Sequence, residues 1–164
     1  FVQETMQDFR ESGADLPDEE KKRIAEIQSE LSKLTKEYAE HVLDSTNAFE
    51  LVITDEAKLS GLPESAKASA AANAKAKGIE GDAWRFTLQF PSMYPLMQHL
   101  EDDSIRKEVW EASSQVGSKG EHDNTAHIGK ILQLRQEKAE ILGHSHFADL
   151  SIARRMAKSG EKAL

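Results

Sequence analysis

The stretch LPDEEKKRIAEIQSELSKLTKEYAEHVL, residues 16–43, decides the fold class. Pro17 brings a φ already suited to a first helical turn, and Asp18, Glu19 and Glu20 follow where the helix dipole favours negative charge. Ile24, Ile27, Leu31, Leu34 and Tyr38 then recur by threes and fours, which gathers them on one helix face and leaves lysines and glutamates outside. The charge run reads as the solvated face of a surface helix.

Working outward, Val2, Met6 and Phe9 stand at helical spacing before Gly13, a residue suited to end a helix in the left-handed conformation. Beyond DSTNA the period changes. FELVITD, residues 49–55, is β-branched and aromatic, and WRFTLQF, residues 84–90, alternates Trp84, Phe86, Leu88 and Phe90 against Arg85, Thr87 and Gln89. Both read as short strands that pair antiparallel with the aromatic row on a single face. Two strands cannot stand alone, so helices must cover one side of them. The alanine-rich segment between them opens with Pro63 and Glu64 and closes at Gly78, as a helix does. Further helices are expected near 92–101, 103–116, 124–142 and 145–157, with GSKGEHDN as the one long polar break. The expected fold is mainly α, a bundle-like helical piece with one small antiparallel, hairpin-like β-element.

Composition narrows the function classes. A chain of 164 residues suits one folded unit. Its 29 acidic against 21 basic side chains give a net charge of -8, which repels a phosphate backbone, so nucleic acid is not an expected partner. There is no cysteine, hence no disulfide framework or thiolate metal site, in keeping with a reducing compartment. No apolar run approaches the roughly 20 residues of a membrane span. The first residues do not resemble a signal peptide. Lacking an initiator methionine and stopping just after SGEKAL opens a new helix, the chain reads as a fragment of something larger.

Catalytic constellations are missing. His144 and His146 form an H-x-H pair, but on a helix their rings point about 200° apart, and only an extended strand would aim both at one ion. His122 and His127 are five apart, which suits a shared metal no better. The H-E-x-x-H motif, two histidines one turn apart with a glutamate base between them, does not occur. Neither a G-x-S-x-G elbow nor a phosphate-binding glycine loop is present. Asp102 and Asp103 read as helix N-terminal charges rather than as a general acid and base. In ILQLRQEKAEILG, residues 131–143, a helical wheel gathers Ile131, Leu132, Ala139 and Leu142, with Ile128 upstream, around Arg135. An arginine inside an apolar arc must either find a partner or reach water.

DFRESGADLPDEEKKRIAEIQSELSKLTKEYAEHVLDSTNAFELVITDEAKLSGLPES, residues 8–65, resembles the N-terminal helical region of the thimet oligopeptidase-like zinc metallopeptidases. LRQEKAEILGHSHFADLSIARRMA, residues 134–157, resembles a second stretch of that family, and WRFTLQFPSMYPLM and DNTAHIGKIL fall between them in the family's order. The resemblance implies a parent enzyme that hydrolyses short peptides, with zinc held by H-E-x-x-H and a downstream glutamate, and with the motif glutamate activating the water. It implies a mostly helical, two-lobed molecule around a deep channel that excludes folded proteins. Residues 1–164 then form a single fragment of the N-terminal helical lobe, with the catalytic zinc domain absent. No catalytic, cofactor-binding or metal residue is expected in this chain, whose part is scaffold and channel wall. The implied partners are short peptides and the remainder of the parent peptidase, without nucleic acid or membrane, in the cytoplasm. The alternative is a free-standing helical interaction module without enzymatic activity. At GHSHFADLS the chain departs from the pattern, since relatives tend to carry an aromatic in place of His144 and an asparagine in place of His146. They also tend to share Arg135, for which a structural tie to a carboxylate or to helix-terminal carbonyls is expected.

Overall fold

The computed structural model describes residues 2–164. The helix-start signals at Pro17 and the three acids deliver α2 over Asp18–Ala48, preceded by α1 over Val2–Glu11. Gly13 closes the turn between them at φ 90°. The chain continues as β1 (Leu51–Ile53), a 3-10 turn at Glu56–Leu59, α3 (Glu64–Ala76), β2 (Trp84–Phe86), α4 (Phe90–His99) and α5 (Asp103–Ser114). A second 3-10 turn at Gly120–His122 leads to α6 (Thr125–Ile141), α7 (Phe147–Ile152) and α8 (Gly160–Ala163). The fold is mainly α with one two-stranded antiparallel sheet.

The chain divides into two compact units. The first runs up to Tyr38 and resumes at Thr125–Leu164, and the second is Ala39–Asn124. In the first unit, α2 and α6 are laced antiparallel by contacts that recur every two turns along α2. Arg23 grips Glu137 with both prongs of its guanidinium, Nε to Oε1 at 2.5 Å and Nη2 to Oε2 at 2.8 Å. Glu30 meets Lys130 at 3.5 Å, and Glu37 meets His127 Nε2 at 3.2 Å. Part of the charge run on α2 is therefore not merely solvated but selects the partner helix.

That lacing also corrects the wheel reading of α6. Its buried residues are Ile131, Leu134 and Ala139, while Ile128 and Leu132 remain 46% and 58% exposed. Of the arc gathered around Arg135 the helix buries Ile131 and Ala139 and leaves Ile128 and Leu132 outside, and it buries Leu134 in addition, while His127, Lys130 and Glu137 meet the charges of α2. Arg135 is half-buried and forms no carboxylate or carbonyl tie among the described residues. Its guanidinium carbon instead lies 5.1 Å from the centroid of the Phe147 ring, a cation–π contact. The helix expected over 145–157 is also shorter than its pattern. It stops at Ile152, and after Lys158 in a left-handed conformation Ser159 caps α8 by accepting the amide of Lys162.

In the second unit the two strands pair as expected, with Leu51 opposite Phe86, Val52 opposite Arg85 and Ile53 opposite Trp84. Phe86 and Leu88 are buried and Trp84 half-buried, but Phe90 breaks the row. Pro91 sits in the first turn of α4, where its fixed φ favours helix, so Phe90 is drawn into that helix and is 66% exposed, stacked on Tyr94 at 4.9 Å. Ile53, Leu59, Leu62, Phe86, Leu96, Leu100, Ile105 and Val109 form the core beneath α3, α4 and α5. Asp102 caps α5, accepting the amides of Ser104 and Ile105. These hydrogen bonds, with the Ser104 hydroxyl first, hold its carboxyl below the ordinary range.

Candidate functional site

Within the second unit a groove of about 660 Å³ opens beside the β-element, a volume typical of ligand sites. Helix α3 builds one wall, with Ser65, Ala66, Ser69, Ala70 and Asn73 lining the groove. Arg85 and Thr87 form the floor, and α4 adds Ser92, Gln98 and His99.

The groove mixes polar groups with apolar ones such as Phe86 and Pro95 and holds almost no free charge. Arg85 donates from Nε to Glu50 at 2.7 Å, and this hydrogen bond, seconded by Lys77, holds the Glu50 carboxyl below its ordinary range. Gln89 reaches Asn47 at 2.9 Å. The serine hydroxyls serve the backbone, since Ser92 accepts the Thr87 amide at 3.0 Å and Ser69 donates to the Ser65 carbonyl at 2.9 Å. Such a lining can hydrogen-bond neutral amide groups. It offers no nucleophile set against a base, the pairing that covalent catalysis requires.

The other five histidines lie elsewhere. His41 Nδ1 is 3.0 Å from the side-chain oxygen of the buried Asn124, and its ring centroid is 5.9 Å from that of His122. His127 faces Glu37 within the other unit. His144 follows the left-handed Gly143 and donates its amide to Ala139, while His146 is the exposed N-cap residue of α7 with no side-chain capping bond. Among the described residues no group of three or more His, Asp or Glu side chains could hold a metal ion, so the residues present do not fit a zinc site. Asp102 and Asp103 occupy the start of α5, as their sequence position suggested. Among the described residues no helix is long and apolar enough to cross a membrane.

The groove residues left no signal in the sequence. Asn73, Arg85 and Gln98 come from three separate elements, and none carries a spacing that implies chemistry.

A family model described as Peptidase family M3 matches residues 96–164. Oligopeptidase A of Haemophilus influenzae is 38% identical over 168 residues, an alignment that takes in 99% of this chain and 24% of that protein. Oligopeptidase A of Escherichia coli is 39% identical with the same coverage. A probable cytosolic oligopeptidase A of Arabidopsis thaliana is 42% identical over 151 residues, 89% of this chain and 22% of the relative. The chain spans about a quarter of the length of the curated relatives it matches.

Proposed function

By sequence this chain is a relative of the M3 peptidases, and we propose that it is part of a zinc-dependent metallo-oligopeptidase that degrades short peptides in the cytoplasm. The observation that carries the reading is similarity to oligopeptidase A running along 99% of the chain while covering 24% of the relative. A stretch so placed contributes to the enzyme without containing all of it. Among the described residues no group of His, Asp or Glu side chains could hold a metal ion, which supports assigning water activation to residues outside them. Residues 1–164 supply scaffold and channel wall from the N-terminal helical lobe. The groove along α3, β2 and α4 suits that role, because neutral amides and hydroxyls can hold a peptide backbone in place without preferring a charge. The cytoplasmic assignment draws on the absence of cysteine and on the printed name of the Arabidopsis relative.

The test uses the whole gene product and a fluorogenic peptide. Turnover is expected to vanish with a chelator and return with zinc, while residues 1–164 produced alone show neither turnover nor equimolar zinc after dialysis. An inactive, zinc-free gene product would favour the free-standing interaction module, and turnover by residues 1–164 alone would overturn the division of labour.

A further inference from the structure

Among the residues that line the groove, Arg85 carries the one permanent charge, and the Glu50 carboxylate it pairs with lies outside that lining. The pairing is incomplete. Only Nε donates, to Glu50 Oε2 at 2.7 Å, and the two Nη nitrogens make no hydrogen bond among the described residues. Arg23 shows what a purely structural tie looks like in this chain, with Nε and Nη2 donating to the two oxygens of Glu137. Arg85 keeps the outer edge of its guanidinium unused although its side chain is only 18% exposed. A guanidinium so far withdrawn from water needs acceptors for its remaining donors, because unmet donors there cost free energy.

Charge points to the kind of acceptor. Glu50 stands between two cations, Arg85 and Lys77, whose ammonium lies 3.9 Å from the same Oε2. One carboxylate against two cations leaves a positive charge, and Arg85 is the cation that the groove sees, since Lys77 is not in its lining. A neutral carbonyl would occupy one of the unused donors, whereas a carboxylate would take two in parallel and cancel the charge as well. Asn73 and Asn47 line the same groove with carboxamide N–H groups that no described residue accepts, since Asn47 meets Gln89 through its oxygen. They supply donors for the lone pairs that a carboxylate would have left over.

We propose that Arg85 is a specificity-determining residue that binds a carboxylate of the peptide in this groove, either the C-terminal carboxylate or an acidic side chain. The inference deepens the reading given under Proposed function and rests on it. Amides and hydroxyls hold the backbone, and Arg85 adds the one contact that reads a charge.

The experiment measures KM and kcat of the whole gene product for four fluorogenic peptides of one length, ending in an acid or an amide and carrying an internal Glu or Gln. Removing the carboxylate that Arg85 binds should raise KM about tenfold, the scale of a hydrogen bond to a charged group, and leave kcat unchanged. The pair that responds tells the terminal carboxylate from the side-chain one. In Arg85→Gln the difference should disappear, and in Glu50→Gln, which frees Arg85 of its counter-ion, it should widen. A wild-type protein indifferent to both pairs, or binding none of the four peptides, overturns the proposal. So does a preference that Arg85→Gln retains or, should that variant not fold, one that Glu50→Gln fails to widen. If the gene product turns over no peptide, the same four are titrated by calorimetry and Kd is compared in place of KM. Loss of turnover then counts against the peptidase reading alone, and loss of the carboxylate preference against Arg85 alone.

Discussion

Gly61 offers a sharp test of the second unit's packing. It turns the chain from the 3-10 turn into α3 at φ +85°, and a Cβ there would fall on the backbone carbonyl of His99, far inside the 3.0 Å that real Cβ contacts keep. The seam cannot relax cheaply. The Glu101 amide donates to the Ser60 carbonyl at 3.0 Å, the Ser60 hydroxyl donates to the Glu101 carboxylate at 2.5 Å, and Leu59 and Leu100 lie buried on either side. Gly78 is the control, with φ +81° at the end of α3 and nothing within 4 Å of its would-be Cβ. Placing alanine in the left-handed region costs about 1–2 kcal/mol at either site. Forcing the 61 seam open adds an overpacking cost of about 1–3 kcal/mol. Gly78→Ala should therefore lose about 1–2 kcal/mol and Gly61→Ala about 2–5. Equilibrium urea unfolding followed by tryptophan fluorescence reads the difference directly, because Trp84 and Trp110 both lie in the unit that contains the two glycines. With a slope of about 2 kcal/mol per molar urea, the two midpoints should separate by roughly 0.5–1.5 M. Coincident midpoints would refute the reasoning, since only the close approach at His99 distinguishes the sites.

Further outcomes follow from other contacts. Leu96→Ala, at a fully buried core position, should cost about 2–5 kcal/mol in the same urea experiment, and a loss under 1 would mean the core collapses around the gap. The Arg23 hydrogen bond holds the Glu137 carboxyl below its usual value of 4.5, so its stabilisation is present above that pH and is lost as the pH falls through the lowered value. Glu137→Gln should flatten the acid limb of the stability–pH profile below about 4.5, and an unchanged limb would show the pair to be worth nothing in solution. Arg135→Met should cost about 0.5–1 kcal/mol, the scale of an exposed cation–π contact, and the loss should shrink in a Phe147→Leu background; equal losses in both backgrounds would exclude the pairing. In the whole enzyme, Asn73→Ala with Gln98→Ala should raise KM for a short peptide and leave kcat unchanged, as removal of uniform binding does, while unchanged steady-state kinetics would take the groove out of the substrate path.

Most of the fold was legible because its signals are local. The acids after Pro17, the terminating Gly13 and Gly78, and the period-two run from Trp84 to Leu88 each act within a turn or a strand, and each element formed where its signal lies. The misreadings have a common cause, which is that periodicity names apolar residues but not the neighbour that will cover them. Phe90 continues the strand alternation on paper, yet Pro91 makes the local helix start stronger than the pairing. On α6 the wheel gathered one arc around Arg135 and passed over Leu134, and the side that packs faces Arg23, Glu30 and Glu37, residues about a hundred positions away. The arc drawn around Arg135 is split, with Ile131 and Ala139 buried and Ile128 and Leu132 outside, and Arg135 meets the Phe147 ring instead of the expected carboxylate or carbonyl.

The candidate site was illegible for a different reason. Water activation on zinc needs a few atoms at fixed separations, so one helix can carry ligands and base together and the spacing H-E-x-x-H can be recognised, or found missing, by inspection. Holding a peptide against a wall needs area, neutral hydrogen-bonding groups and an open approach, and these are gathered from α3, β2 and α4 with no constraint on sequence separation. Asn73, Arg85 and Gln98 are ordinary polar residues until the fold sets them around one space. A wall of this kind therefore becomes visible only once the fold is known, because no spacing in the sequence ties Asn73 to Arg85 or to Gln98.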